Sequence, residues 1–283
     1  MSESYYLPLS VPSAMDGGAA HFRAGEHTVG PWAAHLQHGG PPSALAVTRA
    51  EAAVRAAGRD DLIALRLAAD FIGPVPVGVV AVATRVVRAA RSAALVEAVV
   101  SADERDCLVC RVWFVRAADT TEVAGELAPP PEVPAPAEPA EPAGSAEPAG
   151  SGELGLRFGY GDSVDWRFVG VGRMTAAGPA AAWARPRVPL LPGVQMSGLA
   201  RAVLIADSAG GISAELPWTE WSFANVDLDV HLARPLLGEW VLLDATTQLG
   251  PAGSALARST LSDRTGVAGS GLQTLLLSRL PIA

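Results

Sequence analysis

The chain has 283 residues, of which 49% are hydrophobic and 18% are charged, and its formal net charge is −8. This length is typical of about two domains, and the composition allows each a hydrophobic core. The net negative charge argues against a protein that binds nucleic acid through its phosphates. All 21 Lys and Arg residues are arginine, which excludes a mechanism based on a lysine Schiff base.

The N-terminal segment Met1–Ser10 has no basic region followed by an apolar core, which a secretory signal would have. No stretch of the sequence approaches about 18 uninterrupted apolar residues, the length that a membrane-spanning helix needs. We therefore expect a soluble cytoplasmic protein without a membrane span.

The sequence of the first half predicts one helix followed by several long strands. A strand near Ala20–Val29 leads to His38-Gly39-Gly40-Pro41-Pro42, and an Ala-rich helix follows over 41–57. Proline fits the first turn of a helix because the amide groups there need no intrahelical acceptor. Sequence patterning and turn residues then predict four strands, at 62–72, 77–90, 92–103 and 106–116.

The last of these strands contains the two cysteines of the chain, Cys107 and Cys110. Residues three apart on a strand point to opposite faces, and no second cysteine pair completes a zinc site. We interpret both as buried thiols of a protein in a reducing compartment.

The segment 128–152 consists of proline, alanine, glutamate, glycine and serine, apart from Val133. Almost no apolar area can be buried there, so we expect a disordered or extended linker. With its flanks this linker occupies 121–153. It separates an N-terminal domain, 1–120, from a C-terminal domain, 154–283.

The second half repeats the order of the first. Strands near 163–171 and 179–186 precede a helix over about 195–208, which Gly210-Gly211 is expected to close. Four further strands are predicted, at 222–234, 239–250, 254–263 and 270–279. Residues 62–116 and 223–277 align at an offset of about 160, with Gly78 on Gly238. One helix and several antiparallel strands, present twice, indicate a duplicated α+β unit.

Only the second half carries a set of polar residues suited to catalysis. Asp207 falls on the apolar stripe of its helix, where a buried carboxylate would serve as a general base. Gln273 shares a strand face with Leu275 and Leu277, and its amide there needs a partner such as water or a substrate carbonyl. The structural alternatives are a frayed, half-exposed helix end for Asp207 and a solvent-facing edge for Gln273.

Asn225 is the third candidate. Strand alternation groups it with Asp227, Asp229 and His231 on one polar face, where an asparagine is ordinary. Asp227 and His231 are the reserve candidates on that face.

The segment His38-Gly39-Gly40 is the candidate binding element of the first half. Two glycines ahead of a helix let a ligand approach the backbone, and a helix N-terminus attracts negative charge. A carbonyl group would be polarised there without a charged side chain. The alternative is a tight loop with a structural histidine.

These features together resemble the tandem, or double hotdog, acyl-CoA thioesterases of the bacterial type II, TesB-like group and its actinobacterial relatives. The residues that carry the resemblance are Trp32 with His38-Gly39-Gly40-Pro41-Pro42, Asp165-Trp166-Arg167, Trp183-Ala184-Arg185, Ala206-Asp207, Asn225-Val226-Asp227-Leu228, Ala233-Arg234-Pro235, Asp263 and Gln273. The resemblance implies an α+β double hotdog fold, with two antiparallel sheets each wrapped around a central helix in one chain. It also implies an acyl-CoA substrate, fatty acid metabolism, a homo-oligomer (a dimer or larger), and no cofactor or metal.

The active site of the resembled family uses an Asp on the second helix, a hydroxyl residue on the next strand and a Gln on the last strand. Asp207 and Gln273 match in type and order, whereas Asn225 stands at the hydroxyl position. The resemblance therefore implies hydrolysis of a fatty acyl-CoA to free fatty acid and CoA, without a covalent intermediate. Asp207 would be the base, and Asn225 and Gln273 would hold the attacking water.

The expected substrate-binding residues are His38, Gly39, Gly40 and Asp227. Within this set, the backbone amides of Gly39-Gly40 are expected to stabilise the oxyanion. If they do, the two halves of the chain build one site together.

Two other functions stay open. A non-catalytic acyl-CoA-binding hotdog protein is possible because Asn225 departs from the hydroxyl residue. An enoyl-CoA hydratase or dehydratase would use an Asp and a His separated by four residues. Asp16 and His21 have this spacing, although Gly-Gly-Ala-Ala lies between them.

Overall fold

The structure is a computed structural model that describes residues 3–10, 18–125, 157–169 and 177–280. The predicted linker segment 128–152 lies outside the described residues, as does Asp16. Within the described part, the chain forms a 13-stranded sheet on which two buried helices pack.

The first half contains one long helix and six strands. Its elements are β1 Tyr6–Ser10, β2 Ala20–Ala24, α1 Gly40–Ala56, β3 Leu62–Phe71, β4 Val79–Ala89, β5 Ala93–Ala102 and β6 Arg105–Arg116. The helix and the four long strands agree with the predicted bounds to within two residues, whereas β1 has no predicted counterpart. The strand predicted at 20–29 stops at Ala24, because Glu26–Thr28 forms a 3-10 turn whose Thr28 hydroxyl donates to the Gly25 carbonyl.

The second half repeats this layout with more interruptions. Its elements are α2 Gly159–Asp162, β7 Val164–Phe168, β8 Ala180–Pro186, α3 Gly198–Ala206, α4 Ala209–Ile212, β9 Trp221–Asn225, β10 Asp227–Leu232, β11 Val241–Leu249, β12 Ser254–Asp263 and β13 Gly266–Arg279. The prediction that Gly210-Gly211 closes the helix is wrong, since α3 ends at Ala206 and both glycines lie within α4. A Cβ at Gly210 would lie 2.8 Å from the Leu275 side chain, so this glycine permits close packing of α4 on β13.

The sheet runs through both halves in a symmetric order. The first half contributes β1-β2-β4-β5-β6-β3, and the second half continues with β10-β13-β12-β11-β8-β7, while β9 pairs with β13. The halves join through the antiparallel pair of β3 and β10, in which Leu67 lies opposite Val230. The two expected sheets therefore form one continuous sheet. Counted outward from the β3–β10 pair, each strand of the first half occupies the same position in the order as its equivalent in the second half, as a duplication requires.

The core lies between the sheet and the two long helices. Alternate residues of β5 are buried where α1 packs on it, and every residue of α3 from Ala202 to Ala206 is buried. The helices also contact each other closely, since a Cβ at Gly40 would overlap the Leu204 carbonyl oxygen. Glycine at the start of α1 thus brings the beginning of the first helix against the end of the second.

Both cysteines of β6 are free and buried, as predicted. Burial raises the pKa of each thiol above its usual range, which keeps the reactive thiolate scarce. Separately, in the described ranges no helix combines the length and apolar character that crossing a membrane requires.

Candidate active site

Asp207 stands at the C-terminal cap of α3 with its carboxylate inside the protein. Only 4% of this residue is exposed. The prediction of a buried acid is confirmed, and the alternative of a half-exposed helix end is wrong. A buried carboxylate is unfavourable unless polar groups surround it, and three side chains from different elements reach Asp207.

Asn225 is the first of these groups, and its Nδ2 donates a hydrogen bond to Oδ1 of Asp207. The predicted polar strand face is wrong here. Val226 interrupts the strand: its amide donates to the Thr274 carbonyl and its carbonyl accepts from the Phe71 amide. The interruption reverses the alternation, because a shift of one residue turns side chains to the opposite face. Asn225 consequently points inward beside buried Phe223.

His38 is the second group, and it comes from the first half of the chain. Its Nδ1 lies 2.7 Å from Oδ2 of Asp207. The two atoms are close, but their geometry is not that of a hydrogen bond, and Oδ2 accepts no hydrogen bond from any described residue. The amide of Gly40 points to the same Nδ1 at 3.3 Å. The imidazole is therefore held between the start of α1 and the acid at the end of α3.

Gln273 is the third group, and its side chain is almost fully buried at 1% exposure. Its Nε2 donates to the backbone carbonyl of Asp207 at 3.2 Å. Its Oε1 makes no hydrogen bond with any described residue. The alternative of a solvent-facing edge is thus wrong, and an amide oxygen in the interior is available as an acceptor.

Gly39 closes the site from the side of the first half. A Cβ at this position would lie 2.7 Å from the Phe71 ring and 2.9 Å from Oδ1 of Asp207. The backbone amide of Gly39 makes no hydrogen bond within the described part of the chain, whereas that of Gly40 is directed at His38. Only a residue without a side chain allows the backbone this close to the carboxylate.

These residues stand at the wall of a cavity of about 360 Å³ that both halves line. His38, Gly39, Asp207 and Asn225 are among its lining residues, and Gln273 lies behind Asp207 and outside the lining. Much of the remaining wall is apolar, and it includes an aromatic cluster of Trp32, Trp218 and Phe223. The two tryptophan rings stack with their centroids 5.3 Å apart, and Phe223 meets each edge to face.

The structure does not bring Asp227 to this cavity. Its Oδ1 accepts a hydrogen bond from the backbone amide of Thr274 on the neighbouring strand. His231, the other reserve candidate, is exposed on the outer face of β10. Both belong to the face that the interruption at Val226 separates from Asn225.

Tyr160 is a site residue that the sequence did not single out. Its ring stacks on His38 with centroids 3.9 Å apart, and its hydroxyl donates to the Leu204 carbonyl at 2.7 Å. Burial raises the pKa of this phenol well above its usual value, so the hydroxyl stays protonated. A single tyrosine within the four-residue helix α2 gives no periodic signal, and only its contact with His38 identifies it.

Among the described residues, no group of three or more His, Cys, Asp or Glu side chains is arranged to hold a metal ion. Around the Asp207 carboxylate, the described polar groups are the His38 imidazole, the side-chain amides of Asn225 and Gln273, and the backbone N–H of Gly39.

Comparison with known proteins finds two family models on this chain. The acyl-CoA thioesterase N-terminal domain matches residues 28–115, and the acyl-CoA thioesterase C-terminal domain matches residues 130–277. No curated protein matches the sequence.

Similar solved structures extend over almost the whole chain. The tesB protein of Mycobacterium avium subsp. paratuberculosis has a TM-score of 0.67 at 14% identity, with 96% of this chain and 95% of that chain covered. A hot dog fold protein of unknown function from Alicyclobacillus acidocaldarius has a TM-score of 0.69 at 14% identity, covering 94% and 95%. Acyl-CoA thioesterase II TesB2 from Mycobacterium marinum has a TM-score of 0.62 at 14% identity, covering 91% and 98%. At these identities the likeness concerns the fold, and it confirms the predicted double hotdog architecture.

Proposed function

Since the chain belongs to the acyl-CoA thioesterase family, we propose that it hydrolyses a fatty acyl-CoA to the free acid and CoA through direct attack by water. The observation that carries this proposal is the buried Asp207 carboxylate beside Gly39, His38 and Asn225 at the wall of an apolar cavity. Such a cavity accepts an acyl chain, and the polar groups converge where its thioester would react.

Asp207 is the proposed general base. A water oxygen attacks the thioester carbon while Asp207 accepts a proton from that water. The tetrahedral intermediate then collapses with cleavage of the carbon–sulfur bond, and the proton passes to the departing sulfur. The products are the fatty acid and the CoA thiol, and no bond between substrate and protein forms.

Asn225 is the proposed water-positioning group. Its Nδ2 is committed to Asp207, which leaves Oδ1 to accept one hydrogen of the water while Asp207 takes the other. Nε2 of Gln273 is committed to the Asp207 backbone and Gln273 lies outside the cavity lining, so we assign it the role of positioning the acid in place of the expected role of holding the water. An asparagine thus supplies the acceptor that a hydroxyl would supply in the resembled family.

For the oxyanion, we assign one backbone donor in place of the expected pair. The amide of Gly40 is directed at His38, so the amide of Gly39 on the cavity wall is the donor available to a substrate oxygen. The N-terminal end of α1 adds the positive end of a helix dipole behind this amide.

His38 acts in this proposal as a positioning residue. The imidazole lies between the Tyr160 ring and the Asp207 carboxylate, so it fixes the orientation of the acid. This arrangement requires both halves of the chain, because His38 comes from one and Asp207 from the other.

No feature of the described residues favours the hydratase alternative. Asp16 lies outside the described residues, and His21 is exposed on β2 and does not line the cavity. A non-catalytic acyl-CoA binder differs from the proposed enzyme only in turnover, so a kinetic test separates the two.

The test is release of free CoA thiol from a panel of acyl-CoAs by the full-length protein. We expect turnover, and we expect Asp207→Asn to lower kcat by roughly 10²–10⁴-fold with binding of acyl-CoA retained. Asp244→Asn, a matched change at an exposed position on β11, should leave the rate unaltered. Undiminished activity of Asp207→Asn would refute the role of the base, and acyl-CoA binding without turnover in the natural protein would identify a binder.

A further inference from the structure

A second cavity of about 690 Å³ lies at the start of α3. The segment before α3 and the loop after β10 line it, from Arg185 to Gly198 and from Leu236 to Glu239. The first cavity is lined by the corresponding parts of the other half, the segment before α1 and the loop after β3. Each half of the duplicated chain therefore carries a cavity at the N-terminal end of its helix.

The two cavities differ in charge. Among the described residues, the lining of the acyl cavity has one carboxylate, Asp207, and no arginine. The described lining of the second cavity has three arginines, Arg185, Arg187 and Arg201, and one acid, the exposed Glu239. A concentration of positive charge in a chain of net charge −8 favours an anionic ligand.

Two of these arginines have no carboxylate partner among the described residues. Arg187 is exposed at the rim, and no described acid lies within ion-pair distance of it. Arg201 donates one Nη2–H to the Leu236 carbonyl at 3.0 Å, while its buried Nε has no partner in the described ranges. Burial lowers the pKa of Arg201, and the charges of Glu239 and Asp263, which form no ion pair with it, offset this effect only in part.

Arg185 is the third arginine of this cavity, and neighbouring side chains already hold its guanidinium in place. Its guanidinium lies 3.3 Å from Asp165 and 3.5 Å from Glu239, and it stands 4.9 Å from the centroid of the Trp240 ring. Planar guanidinium groups recognise phosphate through paired N–H donors, and they are the usual ligands of phosphate groups in proteins.

We propose that this second cavity is a binding site for a phosphate-bearing small molecule, held by Arg187 and Arg201 with Arg185 at its side. The site is separate from the acyl cavity and does not depend on the proposed hydrolysis. Free CoA and nucleotides both carry such phosphate groups, so these two sources share the chemistry that the arginines recognise.

Equilibrium titration of the full-length protein with ADP, inorganic phosphate and free CoA tests this proposal. We expect Arg187→Ala and Arg201→Met each to weaken binding about tenfold or more, since each removes a charge-assisted hydrogen bond. Arg258→Ala, at an exposed position on β12, is the matched control and should bind as the natural protein does. Binding should also weaken as salt is added, because the contact with the exposed Arg187 is screened.

The comparison of ligands identifies the source. Tighter binding of CoA than of ADP, with one CoA site lost in a variant that combines Arg187→Ala and Arg201→Met, assigns the cavity to CoA. Equal binding of ADP and CoA assigns it to the phosphate groups of either. The proposal is overturned if none of the three ligands binds better to the natural protein than to Arg187→Ala, a surface change that leaves the core untouched.

Discussion

Replacing Gly39 by alanine tests how closely the two halves of the site must approach. The added Cβ would lie 2.7 Å from the Phe71 ring and 2.9 Å from Oδ1 of Asp207, whereas ordinary contact begins at 3.4 Å. Relief requires a displacement of several tenths of an ångström in the helix start, the ring or the carboxylate. Overpacking of this kind costs about 1–3 kcal/mol of stability. A shift approaching 1 Å at a reacting group lowers the rate by roughly 10²-fold.

We therefore expect Gly39→Ala to fold but to lose about a hundredfold in kcat/KM, measured as release of CoA thiol. Gly73→Ala is the matched control, because Gly73 lines the same cavity and its added Cβ would come no nearer than 3.8 Å to another residue. The control should retain nearly full activity. If Gly39→Ala were folded and as active as the natural protein, the inferred contact between Gly39 and the reacting groups would be wrong.

Three further predictions concern the walls and supports of the site. Trp218→Ala opens the aromatic end of the cavity and should shift the preference to longer acyl chains, by roughly fourfold in kcat/KM per additional buried methylene, in a chain-length series of acyl-CoAs. Tyr160→Phe removes the donor to the Leu204 carbonyl and should lower the free energy of unfolding by about 1–3 kcal/mol in urea titrations, with kcat nearly unchanged because the stacked ring remains. Burial raises the pKa of Asp263, but hydrogen bonds led by Arg234 outweigh it and lower the pKa in the folded state. The stabilisation from this acid is then full above its unfolded pKa of about 4 and is lost as pH falls through the folded value. Asp263→Asn should therefore destabilise the protein strongly at neutral pH and progressively less at acidic pH.

The helices and long strands could be predicted from the sequence because their signals are local. Alternation of buried and exposed residues marks β5, and the proline pair at the start of α1 marks where that helix begins. The burial of Asp207 followed from the same local reasoning, since its position on the helix stripe depends only on spacing.

The orientation of Asn225 could not be predicted in this way. Alternation along an uninterrupted strand places it on the outer face, and the reversal arises from the backbone of Val226 bonding to two different strands at once. These two partners, Thr274 and Phe71, are distant in sequence, so no pattern within the strand reveals the interruption. The same interruption explains why Asp227, on the expected face, takes part in the sheet and not in the site.

The sequence by itself determined the duplicated α+β unit, the main helix and most of the long strands of each copy, and the residue types able to act on a thioester. Only the tertiary structure decided which of them meet. The β3–β10 pair joins the two sheets, and the glycine at the start of α1 lets the first helix pack against the end of α3. Those long-range contacts place His38, Gly39 and Tyr160 beside Asp207. No local segment determines them, because the burial of two helix faces against one sheet is favourable only once the whole fold has formed.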